Sequence, residues 1–144
     1  WNIILENIKR MDQYQKENKN VECYFGMTVM SLNYLDFPNT VKQLQSYFPN
    51  VGFDVYHLNQ PKQLLVQGLT NEQLQLGLQR MEQVYATLDQ QIQKDLTHTL
   101  KYYKDVASWG SNKTTRQMLK QYVQYIDKAR NININNYIPE LQLI

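Results

Sequence analysis

Residues 21–38, VECYFGMTVMSLNYLDFP, constrain this chain more than any other stretch. An apolar, alternating run reaches Met30. It then breaks into the polar Ser31-Leu32-Asn33 and enters a helix start marked by Asp36 and Pro38. A strand that sheds polar residues from its C-terminal end just before a helix is where α/β folds keep their chemistry. Alternation puts Cys23, Phe25, Met27 and Val29 on one face and Glu22, Tyr24, Gly26, Thr28 and Met30 on the other. The first face is apolar and is expected to lie under helices. The second is mixed, with small and polar members, and is expected to line a cavity.

The next segments extend this unit. Val41, Leu44 and Phe48 make the buried stripe of the helix, and Pro49-Asn50-Val51-Gly52 closes it. Residues 53–58, FDVYHL, read as a second strand, and 64–69, LLVQGL, as a short extended or irregular piece. Strand, helix and strand in that order predict a βαβ unit with parallel strands and a right-handed crossover. Upstream, Trp1, Ile4, Leu5, Ile8 and Met11 form one stripe of an amphipathic helix over 1–17, which therefore has a face to bury.

Downstream, Thr70 and Gln73 have the spacing of a capping box. A long helical pattern continues through Leu74, Leu78, Met81, Tyr85, Leu88, Ile92 and Leu96. Polar Gln and Thr interrupt its flanks, which favours a bent or broken helix on its own sheet over a coiled coil. A last helix is predicted over 113–130, with Leu119, Tyr122, Val123 and Ile126 inward, and the tail from Asn131 is predicted to be extended. The fold class is thus α/β: βα units over 1–69, then a long helix, a second helix and a tail over 70–144. Two parallel strands are few for a sheet normally covered on both faces. That shortage, and the absence of an initiator methionine, point to the C-terminal part of a larger protein. The expected partner is a missing N-terminal half, or another chain completing the sheet.

Composition narrows the function classes. Fifteen basic and 13 acidic residues give a net charge of +2, too balanced to argue for a nucleic-acid or membrane partner. With no apolar run near membrane length and no signal pattern, the expectation is a soluble, cytoplasmic protein. One cysteine, Cys23, excludes a disulfide framework and a cysteine metal cluster within these 144 residues. The histidines, His57 and His98, stand in no metal or triad spacing; His57 reads as core or cavity-lining, His98 as helix surface. Glu22, Asp36 and Asp54 read as solvated or capping carboxylates, since no spacing forces two together. Lys113, Arg116, Lys120 and Lys128 with Tyr122, Tyr125 and Tyr137 are the one basic-aromatic concentration, diluted by Asp127 and Glu140. It reads as a solvated helix face rather than a single-strand binding groove.

Four motifs in order carry a resemblance. They are W-x-x-I-x-x-N-I-K at Trp1–Lys9, N-V-E-C-Y-F-G-M-T-V-M-S-L-N ending at Asn33, N-Q-P-K-Q-L-L-V-Q-G-L-T at Asn59–Thr70, and D-K-A-R with a distal I-P-E-L at Asp127–Leu141. This series resembles the C-terminal part of radical SAM enzymes of the twitch-like-domain type. Those share a strand ending T-V-S-x-x-N, a later P-x-x-L-x-I-x-x-L-P, and a terminal D-x-x-R with P-E-L. Here Met30 interrupts the first and Leu69-Thr70 replaces the Leu-Pro of the second. The resemblance implies the last βα units of a partial barrel, with S-adenosylmethionine and a 4Fe–4S cluster as cofactors of the complete enzyme. It implies a peptide or small-molecule substrate, and a rim of Thr28, Ser31, Asn33 and Asn59 meeting the cofactor or substrate. The family holds its cluster through C-x-x-x-C-x-x-C, which this chain lacks, so the chain alone is not expected to be active. Each rim residue also has an ordinary reading: Thr28 as a strand former, Ser31 and Asn33 as turn residues, Asn59 as a strand terminator. Arg130 is in (i, i+3) reach of Asp127 for a salt bridge. The alternative function, from a different class, is a non-catalytic interaction module presenting its long helix and a sheet edge.

Overall fold

The computed structural model describes residues 2–139; Trp1 of the first stripe and the distal Glu140-Leu141 lie outside them. The elements run α1 (Asn2–Glu17), β1 (Tyr24–Val29), α2 (Phe37–Tyr47), β2 (Gly52–His57), α3 (Asn71–Tyr85), α4 (Gln90–Asp95), α5 (Thr97–Trp109) and α6 (Lys113–Arg130). Short 3₁₀ turns at Lys62–Leu64 and Val66–Gly68 replace the irregular 64–69 segment, and a third lies at Ile134–Asn136. The protein is mixed α/β with a two-stranded parallel sheet.

The strands pair in register from Tyr24 against Gly52 to Val29 against His57. This register puts Phe25, Met27 and Val29 on the same face as Phe53 and Val55, all in or against the core. Phe25 packs against Phe48 and Phe53 with ring centroids 5.8 and 5.6 Å apart. The apolar face is therefore covered as its alternation predicts. The mixed face is open rather than enclosed: Tyr24, Gly26, Asp54 and Tyr56 on it are exposed, and of these Tyr24 and Tyr56 border surface clefts. Small and polar residues suit an open sheet face as well as a lined one, and alternation alone does not distinguish them.

The long helical pattern is broken, as its polar flanks suggest. Thr70 caps α3 through the complete box, Gln73 N–H donating to Thr70 Oγ1 (3.1 Å) and Gln73 Oε1 accepting from Thr70 N–H (2.8 Å). The pattern turns after Tyr85 into the short α4, then into α5, which packs back on α3. Leu74, Met81, Leu88, Ile92 and Leu96 are all buried by this folding. At the centre, Tyr34 from the β1–α2 turn stacks on Tyr103 of α5, centroids 4.2 Å apart and planes 12° from parallel. The Tyr103 hydroxyl donates to the Tyr34 carbonyl (2.7 Å), and the Tyr34 hydroxyl to the Leu74 carbonyl (3.1 Å). Burial holds both phenol pKa values above their ordinary value.

Three expectations are corrected. The stripe of α1 is not buried among the described residues: Ile4 is 52% and Met11 50% exposed, Leu5 and Ile8 are only partly covered, and the helix is tethered by polar contacts instead. Asp12 accepts from Asn50 N–H and its side-chain amide, while Gln15 Oε1 accepts from Cys23 N–H. The tail folds back rather than running extended. Asn131 adopts the left-handed conformation (φ 51°), reversing the chain after α6, and Ile134 and Ile138 pack on the core. Left-handed asparagine is a common helix terminator, a stronger determinant here than the Ile132/Ile134 alternation. Finally, Asp127 Oδ1 accepts from Ile134 N–H (2.9 Å), fixing that reversal in place of a salt bridge to Arg130.

Candidate functional site

The C-terminal ends of β1 and β2 lie level, and two backbone hydrogen bonds tie down the segments that leave them. Leu58 N–H donates to the Val29 carbonyl (3.1 Å), and Ser31 N–H to the Leu64 carbonyl (2.9 Å). All four rim residues expected from the sequence are at this end. Asn33 is a turn builder: its Oδ1 accepts from Met30 N–H (2.9 Å) and its Nδ2 donates to the Thr28 carbonyl (2.8 Å). Asn33 and Thr28 are thus directly joined. Ser31 is buried, and its hydroxyl has no hydrogen-bond partner among the described residues. Asn59 is exposed at the exit of β2.

Because both polar ends of the Asn33 amide are used, its first role is to hold the strand end. Asn33→Ala is expected to cost about 1–3 kcal/mol, the scale of leaving part-buried backbone groups unpaired. Urea denaturation measures this. Asn33→Asp should not rescue it, since a carboxylate keeps the acceptor for Met30 N–H but faces the Thr28 carbonyl with a second acceptor.

A cleft of about 560 Å³ opens beside this rim. Its walls include Val55, His57, Asn59, Gln67, Tyr102 and Trp109, and among the described residues none that lines it carries a permanent charge. β2 delivers His57 and Asn59, the Val66–Gly68 turn delivers Gln67, and α5 delivers Tyr102 and Trp109. Gln67 is fixed by its carbonyl, which accepts from Asn112 N–H (2.8 Å) at the cap of α6. Trp109 ends α5, where Gly110 takes a positive φ of 77°, and its side chain is 64% exposed. His57 stacks on Tyr102, centroids 4.0 Å apart and planes 10° from parallel. His57 Nε2 and Gln67 Oε1 are buried atoms with no hydrogen-bond partner among the described residues.

Burial, and secondarily the nearby His98, lower the His57 pKa below its ordinary 6.5. Burial raises that of Tyr102 to about 12, so both rings are neutral around pH 7. The depressed pKa has a consequence for folding. Below pH 6.5 the unfolded chain takes up a proton at this histidine that the folded chain resists, so stability falls as pH drops through that region. His57→Phe should flatten this part of the stability–pH curve, measured by urea titration at stepped pH.

Comparison with protein-family models, curated proteins and solved structures finds no match. The site is therefore read on its own geometry. No group of three or more His, Cys, Asp or Glu side chains placed to hold a metal ion occurs among the described residues. Cys23 is half-buried just before β1, at the opposite end of the strand from the rim. No helix among the described residues is long and apolar enough to cross a membrane.

Another cleft, about 500 Å³, lies between α6 and the folded-back tail and reaches Leu32 of the rim turn. A third, near 420 Å³, sits at the N-terminal end of the strands around Glu22 and Asp95. Asp95 Oδ2 there accepts from Phe53 N–H (3.1 Å), a structural use. Along α6, Lys113, Arg116, Lys128 and Tyr125 are exposed, as a solvated face would be. Sequence reasoning identifies His57 as core or cavity-lining and Asn59 as a rim residue, but not Gln67, Tyr102 or Trp109. Only Trp109, a large aromatic immediately before the helix-ending Gly110, carries a local signal.

Proposed function

We propose that this chain is the C-terminal portion of a radical SAM enzyme, contributing βα units of a partial barrel and part of a pocket for S-adenosylmethionine or substrate. The carrying observation is the parallel pair of strands whose C-terminal ends present an uncharged polar rim, in the order and positions of the family-like motifs. In open parallel sheets ligands bind at that end. The open face bearing Tyr24, Gly26 and Thr28 is consistent with an inner barrel face, and α1 preceding β1 with a crossover helix.

The residues test the two implied cofactors differently. One half-buried cysteine does not fit a 4Fe–4S cluster, which needs several thiolates, so its ligands would belong to polypeptide outside this chain. The uncharged hydroxyl and amide groups of the rim fit the neutral ribose of S-adenosylmethionine, while its charged sulfonium and methionyl end would need partners from polypeptide outside this chain. Thr28 and Asn59 would bind, Ser31 carries a hydroxyl free to donate, and Asn33 would hold the turn on which they sit. In this family the bound S-adenosylmethionine supplies the radical chemistry; this chain's share is to bind and orient.

The decisive experiment joins the chain to its upstream reading frame and reconstitutes the product anaerobically with iron, sulfide and S-adenosylmethionine. The expected result is a C-x-x-x-C-x-x-C upstream, iron–sulfur absorbance, and release of deoxyadenosine. Neither absorbance nor deoxyadenosine from a folded whole would sink the enzyme reading.

A non-catalytic interaction module is the second reading, favoured by the exposed apolar stripe of α1. The long helix expected to dock is instead spent on the core. This reading expects a discrete complex in size-exclusion chromatography with light scattering, and a lone monomer would count against it.

A further inference from the structure

We propose that the cleft between the end of β2, the Val66–Gly68 turn and α5 is a binding site for an uncharged planar lactam or amide-like ring carrying an N–H donor. The inference deepens the reading of this cleft as the functional site. It is independent of the radical chemistry, so its failure and a failure of cluster reconstitution are separate results.

Three observations converge. First, Gln67 Oε1 and His57 Nε2 belong to residues on one cleft, are buried, and have no hydrogen-bond partner among the described residues. Buried polar groups are almost always satisfied, and those that are not point to a water, an ion or a ligand. Second, no lining residue among those described has a permanent charge, so an ion entering the cleft would lose hydration without compensation from them. Third, the exposed Trp109, in the same cleft as the His57–Tyr102 stack, offers a flat apolar surface to a ring. The complement of an amide carbonyl acceptor and an imidazole nitrogen on one cleft is a ring edge with an N–H and a further acceptor or donor. Imidazole serves either through its tautomers. Both side chains are only half-buried, so a modest rotation presents these atoms to a ligand. Ser31 and the apolar α6 cleft do not compete: the first is a single hydroxyl, and nothing shows what covers the second.

The probes are 2-pyridone, which offers adjacent N–H and C=O, N-methyl-2-pyridone, which lacks the N–H, and pyridine-2-carboxylate, which adds a charge. The indole N–H resonance of Trp109, assigned with Trp109→Phe, reads binding by NMR titration of the intact chain. Saturable shifts are expected, with 2-pyridone binding at least about fivefold tighter than its N-methyl analogue, the scale of one buried hydrogen bond. The carboxylate should bind weakest. Gln67→Leu should bring the ratio of the two pyridones to about one. No saturable shift with either pyridone, showing that water alone serves these atoms, would overturn the proposal. Equal affinities in the unaltered chain, preference for the carboxylate, or a preference that survives Gln67→Leu would do the same. The comparison of the two pyridones needs no variant and stands even where Gln67→Leu does not fold.

Discussion

Gly77→Ala is expected to destabilise the protein by about 2–4 kcal/mol and lower its melting temperature by roughly 10 °C. On an exposed helix face the same change would help, since alanine is about 1 kcal/mol better than glycine in a helix interior. Here a Cβ would sit 2.0 Å from Cε1 and 2.6 Å from Cδ1 of Tyr34. That ring has nowhere to go: it is fully buried, stacked on Tyr103 and hydrogen-bonded to Leu74. Steric cost therefore exceeds the propensity gain. Thermal and urea melts measure it. Gly26→Ala is the matched control, because nothing lies within 4 Å of its added Cβ, and it should change stability by less than about 0.5 kcal/mol. A neutral Gly77→Ala would mean that α3 can slide away from the tyrosine pair, against the packing described.

Tyr103 separates volume from hydrogen bonding at the same place. Tyr103→Ala is expected to cost about 3–5 kcal/mol, the range for emptying a large aromatic site in a core. Tyr103→Phe keeps the stack and loses only the hydroxyl that donates to the Tyr34 carbonyl, so about 1–3 kcal/mol is expected. Chevron or equilibrium urea data on the pair give both numbers. If phenylalanine proved as damaging as alanine, the polar contact rather than the packing would hold α5 against the β1–α2 turn.

The elements legible in the sequence are those whose signals are local. The capping box at Thr70 and Gln73, the proline-marked start of α2, the parallel βαβ order and the break in the 74–96 pattern each rest on a few neighbouring residues. The features that escape depend on distant partners. The stripe of α1 has the right periodicity but little in the described chain to cover it, and amphipathicity states a need, not its fulfilment. The tail alternates like a strand, yet left-handed Asn131 and the Asp127 carboxylate bend it back. The site divides in the same way. Asn59 and His57 lie on a strand end that any parallel unit advertises, whereas Gln67, Tyr102 and Trp109 come from two later segments that only tertiary folding brings to β2. Asn33 has the residue type of a binder, and both its amide ends prove to hold backbone.

The turn at 30–33 lines one cleft and is hydrogen-bonded to the wall of another. Leu32 reaches into the apolar one against α6, while the neighbouring Ser31 N–H grips Leu64, whose successor Leu65 lines the uncharged one. The one Ser31–Leu64 hydrogen bond thus anchors the turn that walls the apolar cleft to the segment that walls the uncharged one, so both clefts share a support at the strand end.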